Sequence, residues 1–278
     1  MSEEVPHQVS AAGIDDRQTA KIDTTTAHTA RVYDYFLGGK DNFPADREAA
    51  ARILKGNPGM RDTCREQREY LRRAVRYLTN AGIRQFIDIG TGLPTQENTH
   101  EVAQKIAPDV RVAYVDNDPI VLAHARVLMA EKDHGRTVFI HADARNPAEL
   151  LVNPTLTEVI DFTQPVAILL IGILHFIPDD QDPRKMIDTL LGAVPAGSYL
   201  AISHGTPDYA PEMGDAVQAA YQASSMPCRV RTAPEVMTLL DGVQLVDPGL
   251  VLLAEWRPDG AVPRNRQQIT YAAVGRKG

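Results

Sequence analysis

Residues 85–98 read QFIDIGTGLPTQEN, a mostly apolar run that ends in a glycine-rich turn. Such a run is typical of a strand in a parallel sheet that helices cover on both faces. Gly90 and Gly92 follow it directly and let the backbone turn sharply with no Cβ in the way of a ligand. The segment predicts a buried strand and a turn at the edge where open α/β sheets bind ligands. A tight strand-to-helix turn without a ligand is the alternative.

Further apolar runs continue the pattern along the chain and predict four more strands, at 111–116, 137–143, 166–174 and 198–204. Segments with helical spacing lie between them and suit the crossovers of βαβ units, at about 95–107, 119–132 and 182–193. Two last strands, joined by a loop rich in Pro, Asp, Gly and Asn, predict an antiparallel ending at 249–256 and 268–276. The sequence therefore predicts a doubly wound α/β sheet.

The first third of the chain differs from the rest. Residues 1–25 are polar and without apolar periodicity, which predicts a disordered or loosely docked tail. Residues 26–82 predict a helical extension, and residues 83–278 form the predicted main domain. The helix expected at 61–80 has an apolar face and an opposite basic face, the latter with Arg72, Arg73 and Arg76. It is expected to pack on the main domain.

Charge and cysteine content exclude several classes of protein. The 29 Lys and Arg against 36 Asp and Glu give a net charge of -7, which argues against coating nucleic acid or an anionic membrane. Residues 31–84 run against this trend, with 12 basic and 7 acidic side chains. Solvated helix faces or recognition of an acidic group would explain that surplus. Cys64 and Cys228 form no disulfide or zinc pattern, and no signal or membrane-spanning segment is evident, so a cytoplasmic protein is predicted.

Acidic side chains end the second and third predicted strands. Asp116 lies 26 residues beyond Gly90, close to the offset at which a carboxylate meets ribose hydroxyls in this topology. Asp118 precedes Pro119 and is predicted to cap the following helix. Asp143 could accept a hydrogen bond from an adenine amino group. A helix cap or a surface carboxylate is the alternative for Asp143.

The fourth and fifth strands end in histidines. Leu174, His175 and Phe176 follow the fourth strand, where they could form a wall beside a cofactor and face a substrate. His204 ends the fifth strand. Either His175 or His204 could act as the base for a hydroxyl acceptor. A packing role is the alternative for each.

The segments DIGTG, YVDNDP, ADAR and ILHFIPDD, in this order, resemble the class I S-adenosylmethionine-dependent methyltransferases over residues 84–278. Together with YDYFLGGKDNFPAD, GTGLPTQENTH, YVDNDPIVLAHA and LHFIPD, they identify the chain as a member of an S-adenosyl methyltransferase family common in actinomycetes, long catalogued as a domain of unknown function. The resemblance implies a Rossmann-like, seven-stranded, mostly parallel sheet of order 3-2-1-4-5-7-6. Pro94 stands where the usual motif has its third glycine.

The resemblance also implies S-adenosylmethionine as cofactor. The residues expected to bind it are Arg31, Tyr33, Asp88, Gly90, Thr91, Gly92, Asp116, Asn117, Asp143, Ala144 and Leu174. The helical extension is expected to close over the site as a lid, because methyl transfer requires alignment of two reactants and exclusion of water. Its candidate contacts, with one from strand four, are Tyr35, Phe36, Lys40, Asn42 and Phe176. Arg31 or Lys40 could pair with the cofactor carboxylate. The aromatic rings could face the positively charged sulfur of the cofactor, or they could instead only anchor the helix.

The acceptor is predicted to be a small molecule that is methylated on oxygen or nitrogen. Strand four lacks the Asn-Pro-Pro-Tyr type motif of nucleic-acid amino-methyltransferases and a Pro-Cys pair, so nucleobases are disfavoured. A nicotinamide-dependent oxidoreductase is also disfavoured, because its GxGxxG pattern would need glycine at position 95, where Thr95 stands. The alternative is a protein that binds S-adenosylmethionine without catalysis and acts as a regulator or interaction module, since no decisive catalytic residue is evident.

Overall fold

The computed structural model describes residues 22–94, 97–121, 123–124, 136–262 and 269–278. Most of the predicted tail at 1–25 and part of the predicted helix at 119–132 lie outside the described residues. Among the described residues, no helix is both long enough and apolar enough to cross a membrane.

Three helices form the N-terminal extension, α1 (Thr29–Leu37), α2 (Pro44–Gly56) and α3 (Met60–Asn80). At the start of α1, the His28 carbonyl accepts the Val32 N–H at 2.9 Å. At the start of α2, the Asp46 carboxylate accepts the Phe43 N–H at 2.8 Å, and Pro44 occupies the first turn, where its missing N–H costs nothing. These caps set the positions at which the chain turns between helices.

The two sides of α3 are both in contact with protein. Leu71, Ala74, Val75 and Leu78 are buried, as their spacing predicts. Arg73, which the sequence places on the basic face, is buried as well. Its guanidinium donates to the Trp256 carbonyl at 2.9 Å and to the Leu253 carbonyl at 2.7 Å. The prediction of a solvated face is therefore wrong for Arg73, because residues 253–256 pack over this side of the helix.

The strands among the described residues are β1 Gln85–Ile89, β2 Arg111–Asp116, β3 Thr137–His141, β4 Ala167–Leu170, β5 Tyr199–Gly205, β6 Val243–Leu245, β7 Val251–Leu252 and β8 Thr270–Lys277. They form one sheet in the order β3-β2-β1-β4-β5-β8-β6, with β7 paired to β8. The first five strands are parallel and β8 is antiparallel to its neighbours.

Both faces of the sheet are covered, which explains the continuously apolar strands. Successive residues of β1 enter different cores. Ile87 belongs to the core on one face and Phe86 to the core on the other. The remaining helices are α4 Thr99–Gln104, α5 Pro147–Leu151, α6 Pro154–Val159, α7 Pro183–Gly192, α8 Pro211–Gln222 and α9 Ala233–Leu239, and residues 119–121 and 123–124 are also helical.

Three predicted boundaries differ from the structure. The helix expected from about residue 95 begins at Thr99, after Asn98. The fourth strand ends at Leu170, because residues 171–177 turn and form a short 3-10 helix. The strand expected at 249–256 is only two residues long, and Val243–Leu245 adds a second short strand on the same edge of β8. Pro248 lies between them and has no N–H to donate to a ladder.

Candidate functional site

A cavity of about 290 Å³ lies at the carboxyl ends of the first parallel strands. The turn after β1 and the loops after β2, β3 and β4 form its floor, and residues of α1, α3 and α8 form its other walls. This is the edge of the sheet at which the sequence predicted a ligand site. Its lining includes eleven of the predicted site residues, Tyr33, Asp88, Gly90, Thr91, Gly92, Asp116, Asn117, Asp143, Ala144, His175 and Phe176.

The turn after β1 requires both of its glycines. Gly90 and Gly92 have φ of +73° and +67°, in the left-handed region that side chains disfavour. A Cβ on Gly90 would lie 2.6 Å from the side chain of Ile173, so the turn and the loop after β4 are in close contact. A Cβ on Gly92 would meet no atom of the described residues within 4 Å. The backbone at Gly92 therefore faces open space in the cavity.

Asp88 joins the strand to the helix that follows the turn. It accepts a hydrogen bond from the Thr99 hydroxyl at 2.6 Å. Burial raises the pKa of Asp88 to about 6, although the bond from Thr99 opposes that change. The carboxyl group thus ties α4 to β1 directly beneath the turn.

Asp116 holds the glycine turn against the loop after β2. One carboxylate oxygen accepts the Gly92 N–H at 2.8 Å, and the other accepts the Asp118 N–H at 2.9 Å. Burial raises the pKa of Asp116 even though these two backbone donors and the nearby His28 oppose the change. A carboxylate oxygen accepts more than one hydrogen bond, so a ligand hydroxyl can still bind here.

Asp118 links this loop to the N-terminal extension. It accepts the Ile120 N–H at 3.1 Å, which confirms its predicted capping role. Its other carboxylate oxygen lies 3.0 Å from Nδ1 of His28 and 3.3 Å from Nε of Arg31. Burial alone would lower the pKa of His28, but the bond and charge of Asp118 outweigh it and raise that pKa. These contacts fix the start of α1 over the cavity.

Asp143 lies on the cavity wall after β3. Its carboxylate forms a bidentate pair with Arg145, whose Nε lies 2.8 Å from Oδ1, and also accepts the Arg145 N–H at 2.9 Å. The bonds from Arg145 hold the pKa of Asp143 below its usual value, against the opposing effect of burial. The group is therefore ionised and oriented at neutral pH.

His175 and Phe176 line the cavity on the loop after β4. Their ring centroids are 4.2 Å apart, and Phe176 lies 5.2 Å from Tyr221 of α8. Burial, with a smaller effect of the positive Arg231, lowers the pKa of His175 to about 4, so the imidazole is neutral at pH 7. Its buried Nδ1 has no hydrogen-bond partner among the described residues. His175 thus brings one uncharged polar group to an otherwise largely apolar wall.

His204 is fully buried and does not line the cavity. Its Nε2 lies 2.9 Å from Nη1 of Arg231, and its Nδ1 lies 2.8 Å from the Gly205 carbonyl. Because a guanidinium only donates, Nε2 accepts and the proton sits on Nδ1. Burial and the neighbouring His175 lower the pKa of His204 to about 3. With both nitrogens used, His204 is corrected from a candidate base to a structural group.

Six other predicted residues lie away from the cavity wall. Phe36 and Leu174 are fully buried in hydrophobic cores, and Tyr35 packs against the Arg61 guanidinium. Asn42 donates to the Asp34 carboxylate at 2.8 Å, and Lys40 is exposed. Arg31 is buried among acidic and carbonyl oxygens, those of Asp46, Asp118, Asp23 and Thr26. Apart from the exposed Lys40, these side chains pack or bond within the protein and do not face the cavity.

Helix α3 contributes wall residues that sequence reasoning missed. Arg68 lies on the wall near Asp88, where its positive charge opposes the rise in the pKa of that carboxyl group that burial causes. Gln67 packs so closely on Gly172 that a Cβ there would lie 2.1 Å from its amide nitrogen. The basic surplus of residues 31–84 was a signal of such a contact, but it did not single out a residue. Further missed residues on the wall are Met60, Thr63, Cys64, Leu71, Val217, Tyr221, Met226 and Cys228.

Comparisons with known proteins agree with this arrangement. A sequence profile described as S-adenosyl methyltransferase matches residues 15–278. The structure is similar to that of a DUF574 family protein from Streptomyces avermitilis, with 45% identity and a TM-score of 0.89, over 93% of this chain and 100% of that chain. A candidate methyltransferase from Thermobifida fusca is 40% identical, with a TM-score of 0.87, over 92% of this chain and 96% of that chain.

More distant structures are similar in fold alone. An O-methyltransferase family protein from Burkholderia thailandensis is 15% identical, with a TM-score of 0.50, over 84% of this chain and 61% of that chain. With the observed strand order, this likeness confirms the predicted Rossmann-like fold. None of the curated proteins compared with the chain matches it.

Proposed function

We propose, because this chain belongs to the S-adenosyl methyltransferase family, that it is an enzyme that methylates an oxygen or nitrogen atom of a small molecule. The cofactor of the family is S-adenosylmethionine. The observation that carries the proposal is a single cavity that joins the glycine turn to the neutral His175 and the aromatic wall beside it.

The residues of the cavity fit this cofactor. Gly92 presents its backbone to open space, as a close approach of a ligand requires. We assign Asp116 to the ribose hydroxyls, because a buried carboxylate held in place by two backbone donors is a preorganised acceptor for a diol. Asn117, Asp143 and Ala144 form the adjoining wall that we assign to the adenine.

When bound, S-adenosylmethionine supplies an electrophilic methyl group on a positively charged sulfur. The protein's own contribution is then to orient the acceptor and exclude water. We propose that His175 contacts the acceptor hydroxyl or amine through a hydrogen bond. A pKa of about 4 makes its protonated form unfavourable at neutral pH, which supports an orienting role over storage of the acceptor proton.

The helical extension at 26–82 is proposed as the lid. Residues of α1 and α3 form one side of the cavity, and His28 and Arg31 join α1 to Asp118 in the loop that follows β2. In this arrangement the extension contacts the same loop that holds the glycine turn. Closure of the lid and order in the cofactor loop are therefore physically coupled.

Arg68 takes the role that the sequence gave to Arg31 or Lys40. Arg31 is held by acidic side chains and Lys40 does not line the cavity, whereas Arg68 lies on the wall close to the glycine turn. Its Nη2 donates to the Glu97 carbonyl at 3.1 Å, which holds the side chain toward the segment after the glycine turn, and the fork of a guanidinium matches the geometry of a carboxylate. We propose that Arg68 binds the carboxylate of the cofactor's methionine part.

Replacing Arg68 by glutamine is expected to weaken binding of S-adenosylhomocysteine by about 10- to 100-fold, the usual effect of losing a hydrogen bond to a charged group. Binding of 5′-methylthioadenosine, which lacks the amino-acid part, should stay within about twofold. Calorimetry of both ligands checks this difference. Arg65→Gln is the matched control, because Arg65 is exposed on the same helix and pairs with Asp62. Equal losses for both ligands would contradict the assignment of Arg68.

The proposed activity is tested with S-adenosylmethionine labelled on its methyl group. We expect the full chain to bind S-adenosylhomocysteine in calorimetry and to transfer label to a component of a small-molecule extract. Asp116→Ala serves as the variant that should transfer none. Binding without transfer to any component would favour the alternative, a regulatory protein that binds S-adenosylmethionine. Absence of binding would refute both.

A further inference from the structure

The two ends of the cavity differ in chemistry. The acidic end, formed by Asp88, Asp116 and Asp143, lies where β1, β2 and β3 finish. The apolar end is formed by side chains of α3, α8 and the segment after α8, namely Met60, Cys64, Val217, Tyr221, Met226 and Cys228. All six belong to one buried hydrophobic cluster, on which Phe176 also packs. The acidic end is the part that the proposed function assigns to the cofactor.

The loop after β4 connects the two ends. Ile173 touches the glycine turn, where a Cβ on Gly90 would lie 2.6 Å from its side chain. Two residues later the His175 ring packs against Phe176 in a tilted arrangement, and Phe176 lies 5.2 Å from Tyr221 between ring centroids. A molecule in the apolar end would thus lie against Phe176 and Tyr221, beside His175 on the loop that also touches the glycine turn.

Among the described residues that line the apolar end, none carries a carboxylate, an ammonium or a guanidinium. The ionisable groups present are neutral. Burial raises the pKa of Tyr221 far above its usual value, and that of Cys228 to about 12. The other polar side chains nearby, those of Thr63, Gln67 and Thr270 among them, carry uncharged hydroxyl and amide groups. A charged group placed here would lose its hydration without gaining a partner of opposite charge.

We propose that the methyl acceptor is an uncharged, largely apolar small molecule that binds in the apolar end and presents a single hydroxyl or neutral amine to His175. A ring or branched hydrocarbon framework suits the thioether, aliphatic and aromatic side chains on this wall. Phosphorylated, carboxylated and zwitterionic acceptors are excluded by the same wall. This inference rests on the proposed function, since it takes the acidic end as the cofactor site.

The test uses the complex with S-adenosylhomocysteine and two probes with the same ring system, 2-naphthol and the 2-naphthoate anion. We expect 2-naphthol to bind at least about 100-fold more tightly than 2-naphthoate, because burial of an unpaired ion is costly. Titration calorimetry at pH 7.5 measures both. Tighter or equal binding of 2-naphthoate, or no binding of 2-naphthol by a complex that holds S-adenosylhomocysteine, would overturn the inference.

Matched variants test whether 2-naphthol binds in the apolar end. Val217→Phe fills the apolar end and is expected to weaken 2-naphthol by about tenfold or more. Val152→Phe makes the same change at a side chain that is 75% exposed and lies outside the cavity, so it should change nothing. Cys228→Met is the second filling variant in case Val217→Phe does not fold. Unchanged 2-naphthol binding in a folded filling variant would place the probe elsewhere and overturn the inference.

Binding of S-adenosylhomocysteine separates the two proposals. We expect its affinity to remain within about twofold in these variants, because they lie at the opposite end of the cavity. If the wild-type chain failed to bind S-adenosylhomocysteine, the proposed function would fail, and the inference with it. If it bound S-adenosylhomocysteine but preferred 2-naphthoate, only the inference would fail.

Discussion

Asp116→Ala weakens binding of S-adenosylhomocysteine by at least about 100-fold, and this is the largest effect on cofactor binding that we expect from a single substitution. The carboxylate accepts the N–H groups of Gly92 and Asp118, so its removal releases the glycine turn from the loop after β2. The same change removes the proposed acceptor for the ribose diol. Two hydrogen bonds to a charged group and the order of one loop are lost together.

Calorimetry measures this effect, and two further variants identify its origin. Asp116→Asn retains one acceptor oxygen and should bind with intermediate affinity. Asp109→Ala removes an exposed carboxylate that precedes β2 and should leave the affinity unchanged. Thermal unfolding of each variant without ligand separates loss of the site from loss of the fold. An affinity of Asp116→Ala within about threefold of wild type would contradict the assignment of Asp116.

The features that could be predicted from the sequence are those that depend on neighbouring residues. A buried parallel strand requires an apolar run, and a sharp turn with a positive φ requires glycine, so β1, Gly90 and Gly92 were evident from residues 85–98 alone. Asp116 followed from the same local logic, because the topology places the end of β2 beside that turn. The strand order came from the family resemblance and is confirmed.

The features that could not be predicted depend on contacts between distant residues. His175 and His204 both follow apolar strands and look equivalent in the sequence. They differ in the structure. Nε2 of His204 accepts a hydrogen bond from Arg231, whereas Nδ1 of His175 has no partner among the described residues. Similarly, the spacing in α3 identifies its apolar face but not the roles of its polar side chains. Gln67 and Arg68 line the cavity, whereas Arg73 donates to the carbonyl of the distant Leu253.

The aromatic segment of the extension shows the same limit. Tyr33 and Phe36 are one helical turn apart, which predicts a shared face of α1 whether that face binds a ligand or packs on the protein. In the structure Tyr33 lines the cavity and donates to the Cys64 carbonyl at 3.1 Å, while Phe36 is completely buried. Only the position of α2 and α8 separates the two roles, and that position is set by the packing of the whole extension.

Arg231→Met lowers the free energy of unfolding by about 3–5 kcal/mol, the largest loss of stability that we expect from one substitution, because several buried acceptors lose their donor at once. The Arg231 guanidinium is 3% exposed and donates to His204 Nε2 at 2.9 Å and to the Ile177 carbonyl at 3.0 Å. It also contacts the Leu174 carbonyl and the Asp179 carboxylate, at 3.3 and 2.6 Å. Arg231 thereby ties the loop that carries His175 to the end of β5.

Urea unfolding measures this loss, and the neighbouring Arg229 supplies the control. Arg229 pairs with Asp179 and Glu235, but its side chain is 36% exposed and its partners are more exposed still. Arg229→Met should therefore cost no more than about 1 kcal/mol. If Arg231→Met were as stable as Arg229→Met, the buried bonds of Arg231 would not hold the loop. If the expected loss occurs, 2-naphthol should also bind more weakly to Arg231→Met under conditions where it stays folded, since the order of His175 and Phe176 depends on the same bonds.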